Sequence, residues 1–91
     1  LGFPVTDHNI LIGIITLTDL AKTPVIDRDA MQVRDVMTRD VIVLSPHAPV
    51  MDALQIMTRH DIGRIPVVED GKILGIVTKS DIFTVIELRE V

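Results

Sequence analysis

Apolar residues fall in short blocks along this chain, and Gly, Pro and Asp punctuate them. "DVIVL" (40–44) is a β-rich apolar run stopped by Ser45-Pro46, which predicts a short strand. In "PVMDALQIMTRH" (49–60), Val50, Ala53, Leu54 and Met57 recur at helical spacing. Pro49 suits the first helical position and Asp52 the first turn, and Gly63 ends the pattern. "RIPVV" reads as a strand whose Pro66 belongs at an edge or a strand start. Asp70-Gly71 reads as a hairpin turn, because Gly supplies positive φ, and "KILGIVT" as the return strand. "SDIFTVIELRE" then reads as a helix with Ser80 as its N-cap. The unit is β-α-β-β-α.

Part of this unit is written twice. "FPVTDHNILIGIITLTDL" (3–20) lies over "IPVVEDGKILGIVTKSDI" (65–82) without a gap. Pro4, Val5, Gly13, Ile14, Thr16 and Asp19 match Pro66, Val67, Gly75, Ile76, Thr78 and Asp81, while Asp7 and Thr18 find Glu69 and Ser80. A repeat of this kind sets the architecture before any fold is named. The first copy begins at its second strand, and the initial Leu suggests that more chain precedes it. Between the copies, "AKTPVIDRDAMQVRDVMT" carries alternating charge, one Pro and no Gly, and reads as a helix end followed by a connection. The expected organisation is the latter part of one repeat over 1–22, a connecting segment over 23–33 and a complete repeat over 34–91.

Composition narrows the function. Of the 91 residues 47% are hydrophobic, so part of the apolar surface is expected to face a partner. The apolar stretch "ILIGII" is far too short to cross a bilayer, and neither a signal peptide nor a basic targeting segment appears. Net charge is −4 and the only aromatics are two Phe, which argues against nucleic acid. The absence of Cys excludes disulfides and thiolate metal sites and fits a reducing, cytoplasmic setting.

The repeated turn carries the candidate chemistry. Thr-x-x-Asp at a strand-to-helix junction sets hydroxyls and a carboxylate beside exposed helix amides, where anions bind. A carboxylate repels phosphate but accepts the two hydroxyls of a ribose. A nucleoside phosphate satisfies both tendencies. Thr, Ser and Asp also cap helices everywhere, and one isolated copy would be read as a cap. Duplication together with the acidic hairpin turns the reading toward binding.

The ordered set hydrophobic-Pro-Val, acidic turn, Gly-hydrophobic-x-Thr-x-x-Asp, occurring twice, resembles the cystathionine-β-synthase (CBS) domain. Such domains occur in tandem pairs called Bateman modules. Residues 34–91 resemble one complete repeat and 1–22 the end of another. The resemblance implies an α/β (α+β) fold, a pseudo-two-fold pair and two clefts for adenosyl ligands such as AMP, ADP, ATP or S-adenosylmethionine. It also implies a regulatory part of a larger system that dimerises with a second copy. Carried over, one cleft takes Ile14, Thr16, Thr18 and Asp19 with Asp40, Ile42, Ile62, Gly63 and Arg64. There Asp19 would hold the ribose, Ile42 and Ile62 would flank the base, and Arg64 would meet a phosphate. The other cleft takes Ile76, Thr78, Ser80 and Asp81, but its opposing wall falls on a first strand that is missing from this sequence, and the column of Arg64 holds Gly2.

The remaining candidates have plainer readings. His8, His47 and His60 are scattered, without the converging ligands that zinc requires. Met51 and Met57 are expected to fill core. "RDVMTRD" is an ordinary solvated connection unless it lines the cleft, and Arg64 either snorkels to water or contacts phosphate. No triad, phosphate loop or catalytic carboxylate pair is present, and Thr16 and Thr78 have no neighbouring base. The expectation is a non-enzymatic sensor without a cofactor, the alternative being a structural dimerisation module with empty clefts.

Overall fold

Both hairpins of the repeat form in the computed structural model, which describes residues 2–82. Strand β1 (Gly2–Asp7) pairs antiparallel with β2 (Ile10–Thr16), and β3 (Arg64–Glu69) with β4 (Lys72–Thr78). Pro4 faces Ile14 and Pro66 faces Ile76, and a bulge falls at the same place in each hairpin, at Val5/Thr6 and Val67/Val68. The Asp70-Gly71 turn has positive φ at both residues, 53° and 79°, as a primed hairpin turn requires. His8 and Asn9 make the corresponding turn with φ of 50° and 67°. The repetition in sequence is a repetition of backbone. The whole is mixed α/β.

The chain divides into two compact units, 1–41 and 42–91. In the first, β2 runs into helix α1 (Leu17–Ala21), followed by a 3-10 turn (Val25–Asp27) and a short helix α2 (Val33–Val36). Beyond α2 the chain returns to β2. The Ile14 N–H donates to Thr38 O at 2.9 Å, and the Thr38 N–H donates to Ile14 O at 2.8 Å. Pro4, opposite Ile14, has no N–H to give, so the Ile14 backbone groups turn outward to this partner. Met37 is buried over Gly13, where a Cβ would lie 2.7 Å from Met37 Sδ and 2.8 Å from Thr38 O. The "RDVMTRD" segment is therefore bonded to the hairpin, not a merely solvated connection. A close approach permitted by a distant Gly is invisible in local composition.

In the second unit, helix α3 (Val50–His60) packs on β3. Leu44, Ala53, Met57, Ile65 and Ile82 form the core, with Ile42, Leu54, Ile56, Ile62 and Val77 packed against it. Met57 and Ile65 are wholly buried. Val50 and Met51, expected inside, are 67% and 53% exposed. At about 100° per residue, Met51 points well away from the Ala53–Met57 stripe, whereas Val50 lies on the same face as Leu54 and Met57 and is exposed as the first residue of the helix. Pro49 is the N-cap, not the first helical residue, and the helix ends at Asp61 in the left-handed region (φ 51°, ψ 50°) before reaching Gly63.

The strand expected over 40–44 reduces to one parallel bridge between Leu44 and Val67. The Leu44 N–H donates to Pro66 O at 3.0 Å and the Val68 N–H to Leu44 O at 2.8 Å. Extending this ladder in either direction requires an N–H from Pro66 or Pro46, and proline has none. Residues 79–82 are helical, and the rest of the helix read in "SDIFTVIELRE" lies outside the described residues. Its N-cap is Thr78, not Ser80: the Asp81 N–H donates to Thr78 Oγ1 at 3.1 Å, while the Lys79 N–H donates to Gly63 O at 2.8 Å.

The two matched glycines differ in their surroundings, because a Cβ at Gly75 meets nothing within 4 Å among the described residues. Gly13→Ala should destabilise the protein by about 1–3 kcal/mol through overpacking. Gly75→Ala should be neutral or stabilise by about 0.5–1 kcal/mol, as Ala does in a strand interior. Denaturant midpoints of the two variants check this, and equal midpoints would contradict the packing described.

Candidate functional site

The two Thr-x-x-Asp turns are the only places where the repeat brings candidate polar groups together among the described residues. Thr16 ends β2 and is the N-cap of α1. Its Oγ1 accepts from the Asp19 N–H at 3.2 Å, and its own N–H donates to Asp19 Oδ2 at 2.9 Å. This reciprocal pair is a capping box with Asp in the third position. Thr38 completes the arrangement by donating from Oγ1 to Asp19 Oδ1 at 3.1 Å. Sequence reasoning named Asp19 and missed Thr38. Its signal was the apolar pair Val36-Met37 between charged residues, with a Gly in β2 to receive the Met.

Both Asp19 oxygens thus hold one bond each, and each keeps room for a further donor. The side chain is half-exposed, so an incoming hydroxyl can reach it. Desolvation pushes the Asp19 carboxyl up, but hydrogen bonds from Thr16 and Thr38 and the charge of Lys22 outweigh it and hold the carboxyl below its ordinary value. It is a pre-oriented anion at neutral pH. Helix α1 spans only five residues, so little dipole accumulates there, and the expected phosphate attraction of the turn weakens accordingly. The chemistry at the first turn is that of an acceptor. Buried Thr23 anchors the far end of α1, donating from Oγ1 to Asp19 O at 3.1 Å and accepting from Arg28 Nε at 3.1 Å through its carbonyl.

The other predicted residues divide between the units. Ile14 is half-buried on β2, while Thr18 and Asp40 are exposed in the first unit. In the second unit, Ile42 and Ile62 are half-buried and pack against the core, which gives both a structural role. The Gly63 carbonyl holds Lys79, and Arg64 opens β3 opposite Thr78, so both stand beside the second turn of their own repeat. Thr78 is half-buried, and Ile76, Ser80 and Asp81 are exposed.

Elsewhere the surface offers less. His8 Nδ1 lies 2.8 Å from Asp7 Oδ1 and His47 Nε2 lies 3.5 Å from Glu69 Oε1, both pairs in water. Among the described residues no cluster of three or more His, Cys, Asp or Glu is placed to hold a metal. No helix among them is long and apolar enough to cross a membrane. A shallow depression on α3, lined by Leu54, Gln55, Thr58 and Arg59, contains none of the repeated turn.

The titration of Asp19 tests this geometry. A carboxyl whose folded pKa is lowered stabilises the fold above its unfolded value, about 3.9, and loses that contribution as pH falls through the folded value. Carbon-detected NMR should therefore find Asp19 titrating below a model-peptide Asp, and Thr38→Val should move it upward. An Asp19 titration indifferent to Thr38→Val would rule out the hydroxyl contact.

Comparison with known proteins places this geometry. The CBS-domain family model matches residues 33–88. The uncharacterized protein MJ1232 of Methanocaldococcus jannaschii is 42% identical over 86 residues, which is 93% of this chain and 28% of that protein. The inosine-5′-monophosphate dehydrogenase of Korarchaeum cryptofilum is 36% identical over 83 residues, covering 90% of this chain and 17% of the enzyme. The chain thus spans a minor part of these curated relatives. Among solved structures, the CBS domain pair of protein MJ0100, in complex with 5′-methylthioadenosine and S-adenosyl-L-methionine, is similar with a TM-score of 0.77 and 33% identity, over 97% of this chain and 71% of that one. With more than half of its length matched by the family model, and with the repeated hairpin and Thr-x-x-Asp turn in place, the chain belongs to the CBS-domain family.

Proposed function

We propose that this chain is a regulatory module that binds an adenosyl ligand, AMP, ADP, ATP or S-adenosylmethionine, and thereby controls an attached or partner protein. One observation carries the reading: the Asp19 carboxylate is held by Thr16 and Thr38, anionic, accessible and with acceptor capacity to spare. Two adjacent ribose hydroxyls are the donors that such a carboxylate matches. The likeness to the MJ0100 pair, which was solved with two adenosyl compounds, supports the same ligand class. The residues assigned to ligand contact are Asp19 with Thr16 and Thr18, and Thr78, Ser80 and Asp81 at the second turn. A ligand controls the attached protein only as far as it binds one arrangement of the module better than another.

A second reading rests on its own observation. The Thr16–Asp19 pair is already a complete capping box, and Ile42 and Ile62 are already used by the core. On that reading the module is structural. A thermal-shift panel of adenosyl compounds separates the two, since ligand at 100 times its Kd stabilises by roughly 2.7 kcal/mol. No response across the panel would favour the structural module.

Two further outcomes follow. A hydrogen bond to a charged group contributes about 1.5–3 kcal/mol. Asp19→Ala should therefore weaken adenosyl binding about ten-fold or more in calorimetry, and Asp81→Ala much less. The reverse order would sink the assignment to the first turn. Self-association is also expected, because Val50 and Met51 expose apolar surface on α3 beside the Leu54–Arg59 depression. Sedimentation should show a homodimer, and a monomer at high protein concentration would refute it.

A further inference from the structure

The two hairpins share one register, yet the positions that face their turns differ in charge. On β3, Arg64 pairs with Thr78, the residue that caps the second turn. In the same column of the first hairpin, Gly2 pairs with Thr16. Directly opposed residues of an antiparallel pair lie on one face of the sheet, so Arg64 brings a cation to the side of Thr78. Gly2 brings none to Thr16. A Cβ at Gly2 would lie 3.3 Å from Thr16 Cγ2 and 3.3 Å from Ile14 Cδ1, which shows how directly that position overlooks the first turn. The other cations of the first unit are engaged in different ways. Arg28 Nε donates to Thr23 O and Arg39 Nη2 donates to Arg34 O, each at 3.1 Å, and Arg34 lies in the last turn of α2. Lys22 is the cation that acts on Asp19, one positive charge against one carboxylate. Residues 1–41 hold six Asp against four Lys or Arg, so the wider field of the unit is negative as well.

We infer that the first turn selects adenosyl ligands that carry no phosphate, those with a neutral or cationic group on the 5′ carbon, and discriminates against AMP, ADP and ATP. The inference rests on the adenosyl reading proposed above and narrows it. Ribose hydroxyls on Asp19 fix the distance between its carboxylate and the 5′ group. A ribose ring is smaller than the Debye length, about 8 Å at physiological ionic strength, so the two charges act on each other. A phosphate monoester bears about −1.5 to −2 at neutral pH and is repelled. A thioether is indifferent to the carboxylate, and a sulfonium is attracted. Helix α1 spans five residues and adds too little dipole to reverse this order. The Thr16 N–H and the Thr38 hydroxyl disperse the Asp19 charge but do not cancel it. Selection at the first turn is therefore set by what faces Thr16: the glycine of the column that holds an arginine in the second hairpin.

The experiment titrates the full chain at low salt with 5′-methylthioadenosine, S-adenosylmethionine, AMP and ATP. The Asp19 carboxyl resonance in carbon-detected NMR reports occupancy of the first turn separately from any binding at the second. The two sulfur compounds should move it with affinities about ten-fold or more above that of AMP, with ATP weakest. Added salt should narrow the gap, because screening weakens repulsion between charges. Asp19→Asn keeps an acceptor oxygen and removes the charge. Followed by calorimetry, it should weaken 5′-methylthioadenosine more than AMP and so shrink the preference several-fold. AMP that moves the Asp19 resonance as tightly as 5′-methylthioadenosine would overturn the inference and leave the adenosyl reading standing. A preference unchanged in Asp19→Asn would overturn it too, by tracing selection to something other than this charge. Silence from all four compounds would remove the adenosyl reading and the inference together.

Discussion

The close approach of Met37 and Thr38 to Gly13 is the constraint on which the first unit depends. It has three parts that hold together: a strand residue with outward backbone groups, a facing proline with no N–H to offer, and a glycine that leaves room. The pair of bonds between Ile14 and Thr38 closes a long excursion through α1, the 3-10 turn and α2 back onto β2. Loop closure of that length costs conformational entropy, and burial of Met37 helps to offset it. The same closure delivers the Thr38 hydroxyl to Asp19. Packing and candidate chemistry in this unit therefore share one cause.

The second unit solves the same problem with a proper core. Helix α3 lays Ala53 and Met57 against Leu44, Ile65 and Ile82, and the Leu44 bridge ties the incoming chain to β3. Its turn is anchored differently, by the Gly63 carbonyl on Lys79 and by Thr78 capping through Asp81. Two copies of one sequence pattern thus sit in two different supporting shells. Identical motifs need not be chemically equivalent, because a carboxylate's strength as an acceptor is set by which donors already hold it.

For the candidate site, the short length of α1 matters more than its presence. A five-residue helix gives little dipole, so the local field is governed by hydrogen bonds and by Lys22. That favours recognition of hydroxyls over recognition of free phosphate at the first turn. Hydrogen bonds with defined directions also discriminate better than a diffuse field does.

Much of this protein was legible in its sequence. The repeat gave both hairpins, the Asp70-Gly71 turn and helix α3, because period-2 and helical spacing and turn chemistry are local properties. The Thr16–Asp19 cap was legible for the same reason: its donors and acceptors lie three residues apart. What only tertiary structure decided lies at longer range. It made Leu44 a single bridge, because Pro66 on the facing strand removes the rung on one side as the adjacent Pro46 does on the other. It exposed Met51 and Val50, because how far around and along the helix burial extends depends on what the helix packs against. It joined Thr38 to Asp19, and it filled the space over Gly13, whereas among the described residues nothing lies over Gly75. Local pattern specifies which groups a segment presents, and only the folded chain determines which of them meet.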